Sequence, residues 1–531
     1  MIHSAVRGPC DEAAIRHGSA AAPCAASTKR WVLVAAIIGS SMAFIDGTVV
    51  NVALPAIQRD LHASVFEAQW VVESYALFLA SLLLVGGSLG DRFGRRKLFT
   101  IGVAIFGAAS IGCALSRDVP QLVAARAVQG VGAALLVPGS LALISAAFPE
   151  GERGRAIGTW SGFSGITAAL GPVLGGYLVD RFSWTWAFLV NVPLALAVLA
   201  ISWMQLPESR NPHASSSLDV RGAALATLGL GGVVYAFIEA PTQHWDSPAV
   251  LLALLGGIAA LVGFVVAEWR DAQPMLPLAF FRKRNFAGTN LLTLLLYAAL
   301  AGGLFFLPLN LIQVQGYSAT AAGAALLPFI LIMFVLSRWA GKLVDKMGPR
   351  RPLIIGPLIA ALGFAAFVLP GAQGSYWRSF FPAIVVLGFG MTVTVAPLTT
   401  TVMNAVGADA AGTASGVNNA VSRVAGLLAI AMFGTLMAWV FNGRLDDGLA
   451  AANLPHDLVA LVQGQRNRLA AIELPAGIDA ASAAAVHRVV GEAFVAGFRW
   501  IMAVSAALAL AAAAVAALFV RRDQPGGAAV D

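Results

Sequence analysis

Charge is scarce in this chain. Lys, Arg, Asp and Glu together make up 11% of its 531 residues, where a soluble globular domain carries roughly 25%, and that shortage excludes an ordinary water-soluble fold. Cysteine is rarer still, with three in the whole chain, and Cys10, Cys24 and Cys113 show no metal-ligand spacing. Histidine-rich tracts and CxxC pairs are absent. The GxxxxGK[ST] pattern of a phosphate-binding loop is absent too, which argues against ATP as an energy source within this chain. None of these shortages leaves room for a metal or organic cofactor, and none is expected.

What the chain has in abundance is apolar length. Hydrophobic residues make up 58% and the mean hydropathy is +0.79. Apolar runs of about 20 residues recur, each long enough to cross a hydrocarbon core as a helix. Lipid offers backbone groups no water, so such runs form helices or a closed barrel, and their length without two-residue alternation excludes the barrel. The expected fold is all-α, with about fourteen spans. They begin near Trp31, Gln69, Leu98, Pro120, Ala156, Trp186, Val220, Ala249, Phe286, Ala321, Pro352, Phe380, Gly412 and Gly497.

Lys and Arg give an independent check, because cytoplasmic loops carry the positive excess. Tails and alternate short loops hold about 22 of them and the intervening loops about 4. Both termini are therefore expected on the cytoplasmic side of the inner membrane, and the net charge of +7 belongs to this topology and to anionic headgroups rather than to a nucleic-acid surface. Residues 1–30 read as a disordered cytoplasmic tail and 521–531 as a second one. The single long outer segment, 442–496, reads as partly helical.

One charged run recurs. GSLGDRFGRRK from Gly87 follows the second span, and a weaker copy, GKLVDKMGPRR from Gly341, follows the tenth. A plain six-helix duplication would offset the copies by six spans, and the observed offset of eight implies two inserted helices. The expected architecture is a bundle at 31–207, a linker with two central helices at 208–272, and a second bundle at 273–520, the repeated halves that transporters use.

Particular residues carry the chemistry. A charge at mid-membrane costs at least about 2.5 to 3.5 kcal/mol, so a charged residue there defaults to function and needs a partner. Asp46 lies about fifteen residues into the first span and Glu73 early in the second. Burial favours the neutral form of a carboxyl, which suits a group that takes up and releases protons. Arg126, in the fourth span, cannot lose its proton and needs an acceptor, and Gln129 and Gly130 share its helix face. Arg338 and Arg423 are ambiguous in the same respect. In the fifth span Gly158, Gly162, Gly165, Ala169, Pro172 and Gly176 form one stripe of small residues suited to close helix packing. Within the Gly87 run, Asp91 can bond a neighbouring helix N-terminus or pair with an arginine.

DGTVVNVALPAI at Asp46, the Gly87 run, LVAARAVQGVGAA at Leu122 and GITAALGPVLGG at Gly165 occur in order on successive spans. By these motifs the chain resembles the major facilitator superfamily, and within it the fourteen-span drug:proton antiporters, over nearly its whole length past residue 30. It departs at Thr167, Thr185 and Pro349, where glycine, arginine and arginine are usual.

The resemblance implies a major-facilitator fold and proton-driven export of small amphipathic or cationic molecules by alternating access, with protons and the lipid bilayer as partners and a periplasmic adaptor as a candidate one. It implies proton coupling through Asp46, Arg126 and Glu73. It implies a cytoplasmic gate at Gly87, Gly90, Asp91, Arg92, Gly94, Arg95 and Arg96, with a second at Gly341, Asp345 and Gly348. The antiporter motif falls on Gly158, Gly162, Gly171, Pro172, Gly175 and Gly176. A dedicated exporter of one metabolite is the alternative, and a non-transporting receptor a remote one.

Overall fold

A computed structural model describes residues 26–210, 219–271, 274–372, 374–407, 410–475 and 477–521. The tail expected at 1–30 lies mostly outside the described residues, as do most of 521–531 and the stretch 211–218 of the linker. Among the described residues every regular element is helical.

The long helices are α1 (Ala26–Asp60), α2 (Val65–Phe93), α3 (Arg95–Leu115), α4 (Val119–Ala147), α5 (Glu150–Arg181), α6 (Asn191–Gln205), α7 (Val220–Gln243), α8 (Pro248–Arg270), α9 (Arg284–Leu309), α10 (Leu327–Met347), α11 (Arg350–Ala366), α12 (Phe381–Asn404), α13 (Ala411–Ala451) and α14 (Ala480–Phe519). Thirteen segments are long and apolar enough to cross a membrane. The remaining expected span is α11, whose 17 residues sit at the short end of the spanning range. The segment 442–496 is more ordered than a spacer: α13 runs on to Ala451, α14 begins at Ala480, and short helices cover His456–Gly464 and Arg466–Ala471.

Local chemistry sets the helix starts. Ser64 and Glu67 form a reciprocal capping box at α2, the Glu67 carboxylate accepting from the Ser64 N–H at 2.8 Å. Asp118 caps α4 by accepting from the Gln121 N–H at 2.8 Å, and Asp219 caps α7. The turn between α2 and α3 needs Gly94, whose φ of +115° falls where side chains are disfavoured, and the turn between α10 and α11 has Gly348 at φ +70° in the matching place. The duplicated run thus reappears as a duplicated turn.

Helices α1 to α6 pack among themselves, as do α9 to α14, while α7 lies along both α2 and α13. Membrane interiors give no hydrophobic drive between helices, so close backbone approach does the packing. In the first group a Cβ on Gly86 would sit 2.0 Å from the Ala134 carbonyl oxygen, and in the second a Cβ on Gly390 would sit 2.3 Å from the Ala360 nitrogen. Helix α8 packs chiefly on α7 and leaves Leu252, Leu255 and Trp269 exposed, as a lipid-facing helix should.

The two groups meet most tightly at one end, while α2 runs along α13 toward the other. The end carrying the Gly87 and Gly341 runs is called the basic end, and the opposite one the far end. At the far end Asp180 of α5 accepts from the backbone N–H groups of Ala319 and Thr320 at 3.1 and 2.8 Å, capping a short helix, Ala319–Ala325, of the other group. Gln313 donates to Gln58 at 2.9 Å, and Gln69 of α2 donates to the Ile430 carbonyl of α13 at 3.0 Å.

The small-residue stripe of α5 shows where contact stops. At the far end a Cβ on Gly176 would sit 2.3 Å from the Ala319 carbonyl oxygen, and one on Gly323 would sit 2.1 Å from that of Pro172. On the same stripe nearer the basic end, Gly158, Gly162 and Gly165 have nothing within 4 Å. One continuous face is thus packed at one end and free at the other, so a cleft between the groups opens toward the basic end.

Candidate functional site

Asp46 and Arg126, expected to be buried and in need of partners, partner each other. Helix α4 brings Arg126 Nη1 to 2.5 Å from Asp46 Oδ2 on α1, with both side chains almost wholly shielded from solvent. The pair is enclosed by a hydrogen-bond network from five helices. Arg126 Nη1 also donates to Gln129 Oε1 at 2.6 Å, and Nε donates to the Val71 carbonyl of α2 at 2.9 Å. Gln129 Nε2 donates to Asp46 Oδ1 at 2.8 Å and to Ser110 Oγ of α3 at 2.9 Å. Asn191 Nδ2, at the start of α6, donates to Asp46 Oδ1 at 3.3 Å. The guanidinium lies 4.3 Å from the ring centre of Tyr75 and 5.7 Å from that of Phe188, distances at which a ring face attracts a cation.

The arrangement can hold either protonation state of Asp46. As a carboxylate it accepts three hydrogen bonds and neutralises the arginine. If it takes a proton, Arg126 keeps the Gln129 oxygen, the Val71 carbonyl and the Tyr75 ring, so its charge is not stranded in a dry site. Gln129 shares the helix face of Arg126, as expected, whereas Asn191, Ser110 and Tyr75 were not singled out by the sequence. Cys113 is buried, its sulfur 3.7 Å from Gln129 Oε1.

Glu73 stands apart from this network. It is fully buried on α2, one turn inward from the Gln69–Ile430 tie, and both its oxygens lack a hydrogen-bond partner among the described residues. Arg338 is exposed on α10 and Arg423 is half-buried on α13.

In the Gly87 run, Asp91 Oδ1 pairs with Arg95 Nη2 at 2.7 Å. Arg92 lies over the Phe93 ring. Asp91 does not cap the neighbouring helix. Glu208, in the stretch after α6, accepts from the Arg96 and Lys97 N–H groups at 3.1 Å each and so closes the N-terminus of α3. A Cβ on Gly87 would make only ordinary contact with Pro138, and Gly90 accepts the Gly94 N–H through its carbonyl at 3.0 Å. In the second run, Gly341 borders open space and Gly348 ends α10, while the Asp345 side chain lies outside the described residues. Of the α5 motif, Gly171 and Gly175 face Thr48 and Val49 of α1, whereas Pro172 and Gly176 face the other helix group.

A family model described as Major Facilitator Superfamily matches residues 36–430. The tetracenomycin C resistance and export protein of Streptomyces glaucescens is 35% identical over 507 residues, covering 93% of this chain and 92% of that one. The puromycin resistance protein pur8 of Streptomyces alboniger is 37% identical over 424 residues, covering 78% and 83%. The multidrug resistance protein Stp of Mycobacterium tuberculosis is 34% identical over 431 residues, covering 80% and 79%. Among solved structures, a bacterial homolog of the human lysosomal transporter Spinster, inward-facing and unoccupied, aligns with a TM-score of 0.63 over 95% of this chain and 100% of that one. At 19% identity that likeness concerns the fold alone. By family match, relatives and fold together, the chain belongs to the major facilitator superfamily.

Proposed function

We propose that this chain is a fourteen-span proton-coupled antiporter that exports antibiotics or similar small molecules by alternating access. Its relatives are named for resistance to, and export of, such compounds, which supports the substrate class. The excess of Lys and Arg at the basic end supports an orientation with that end and both termini in the cytoplasm, and a position in the cytoplasmic membrane. The conformer described above is then open to the cytoplasm.

One observation carries the proton coupling. A carboxyl group is buried against an arginine, and the arginine has other acceptors that would remain were that carboxyl neutral. In the proposed cycle, substrate enters the cytoplasm-open cleft while Asp46 releases its proton and pairs with Arg126. The halves then rock, the far-end ties part, and the Gly87 and Gly341 runs close the cytoplasmic end. Asp46 is reprotonated from outside after substrate leaves. Glu73, unpaired beneath the far-end tie, serves as a second acid that senses opening there. The membrane potential supplies about 2.3 kcal/mol per charge moved per 100 mV.

A narrower reading, export of a single compound, is favoured by those relatives that are named for one antibiotic each. The test common to both uses inverted vesicles energised with a pH gradient. Asp46→Asn is expected to abolish uphill uptake while leaving the protein inserted. Uphill uptake by this variant with the wild-type dependence on pH would refute the proton-carrying role.

A further inference from the structure

We propose that the apolar cavity beside the inserted pair α7–α8 is a binding site for an anionic phospholipid of the leaflet at the basic end. One acyl chain fills the cavity, and the headgroup rests on Arg282 and Lys283.

The cavity holds about 440 Å³ and draws its walls from both helix groups and from the pair between them: Ala80 and Leu84 of α2, Leu230 of α7, Phe264 of α8, Leu294 of α9 and Val421 of α13. Its polar side chains are Ser81 and Asn290, and both are bonded within the protein. Ser81 Oγ donates to the Leu77 carbonyl at 2.7 Å, Asn290 Nδ2 donates to the Phe286 carbonyl at 2.9 Å, and Asn290 Oδ1 accepts from Asn418 at 3.1 Å. An ordered water needs two to four polar partners, so a space lined this way does not hold water. Left empty, it would forfeit the dispersion contacts of every wall. A hydrocarbon chain meets both conditions, and the polar groups of a drug would find no partners there.

The way in is from the bilayer. Helix α9 packs on α13 and α14 and makes no comparable contact with α7 or α8, which leaves a seam beside the cavity. Leu291 of α9 both lines the cavity and is 38% exposed, so the cavity reaches the surface there. On α8, Val262, Val265 and Val266 are exposed as well, and in this protein such an apolar surface is covered by lipid.

Chain connectivity puts cations at the mouth. Met275, Leu276 and Phe281 line the cavity's basic end, Phe281 within a short helix, Leu278–Arg282, that leads into α9. Directly after Phe281 come Arg282, Lys283 and Arg284, all exposed. Arg284 donates to the Leu518 carbonyl at 2.6 Å. Among the described residues the side chains of Arg282 and Lys283 make no ion pair and no hydrogen bond. Acids are present at this end too. Asp219 accepts from the Gly222 N–H at 2.7 Å, and Glu268, buried, accepts from the Leu276 N–H at 2.8 Å, while Asp271 is exposed at the end of α8. With Arg221 and Arg270 on the same two helices, the cations of this end still outnumber the acids, five to three. An apolar slot with a cationic rim matches a lipid that carries a negative headgroup on a hydrocarbon chain, and basic pockets between spanning helices bind such headgroups.

Photolabelling tests the assignment. Full-length protein is placed in phosphatidylcholine nanodiscs doped with phosphatidylglycerol or phosphatidylcholine, each carrying a diazirine on one acyl chain, and the labelled residues are mapped by mass spectrometry. The phosphatidylglycerol probe is expected to label the cavity walls on α2, α7 and α13 about tenfold more than the phosphatidylcholine probe. Replacing Arg282→Gln and Lys283→Gln together should remove that preference. Ala420→Phe, which fills the cavity from α13, should abolish labelling of the walls and leave labelling of the exposed face of α8 unchanged. Thermal unfolding checks each variant, and the double glutamine variant carries the test should Ala420→Phe not fold. Walls that stay unlabelled in the wild type would overturn the proposal, as would equal labelling by the two probes. Displacement of the label by ethidium would assign the cavity to exported cargo and overturn the lipid assignment too.

Discussion

Replacing Gly176 by alanine tests the far-end seal directly. The added Cβ would stand 2.3 Å from the Ala319 carbonyl oxygen, 2.5 Å from its carbon and 2.6 Å from the Thr320 Cα. All three are backbone atoms of the opposite half, so no side chain can swing away to relieve the overlap. Overpacking of this kind costs about 1–3 kcal/mol. Gly176 meets the other half only while the far end is closed, so the cost falls on that conformer alone. The equilibrium between the two openings then shifts toward the far-end-open state by about 5- to 150-fold. Spin labels at Arg59→Cys and Arg378→Cys, exposed far-end positions on opposite halves, report the change by double electron–electron resonance as a longer distance gaining population. Gly86→Ala is the control, because its Cβ would strike the Ala134 carbonyl within one half and should lower thermal stability without moving the distance distribution. An unchanged distribution in Gly176→Ala, with normal export, would refute the reading of α5 as half of a seal.

Two further outcomes follow from the same structure. Gln69→Leu removes the hydrogen bond to the Ile430 carbonyl across the halves and should favour far-end opening by about 1 kcal/mol, read with the same labels. Glu208→Gln keeps an acceptor at the N-terminus of α3 but removes its charge, a loss of about 0.3–1 kcal/mol that should lower the thermal midpoint slightly without altering substrate affinity.

Much of this architecture is legible in the sequence because lipid imposes a strict rule: a backbone crossing it must bond internally. The fourteen apolar runs therefore announce fourteen helices, and the expected start at Pro352 falls two residues inside α11. The buried charges are legible for a related reason, since Asp46 and Arg126 would be ruinous at mid-membrane if unpaired. That they pair with each other is a fact of helix packing, which a single sequence does not display. Asn191 escapes notice because a lone asparagine at a span's end looks like any interfacial residue. Glu208 escapes because it follows a helix without periodicity, although it caps a helix more than a hundred residues earlier. The α5 stripe gives the face of contact and not its extent, since glycine reads the same whether packed or free. The outer extension of α14 is Ala-rich, and its helix propensity continues past the apolar stretch that marks a span.

Helix α7 is bonded to both moving parts. Trp70 of α2 donates to Glu239 at 3.2 Å, and Thr435 of α13 donates to the Phe237 carbonyl at 2.6 Å, so a single turn of one helix ties the halves together near their sealed end. A tether there resists separation at that end while leaving the basic end free to splay. Parting the halves at the far end must therefore break or stretch these two bonds, and bringing them together again restores them.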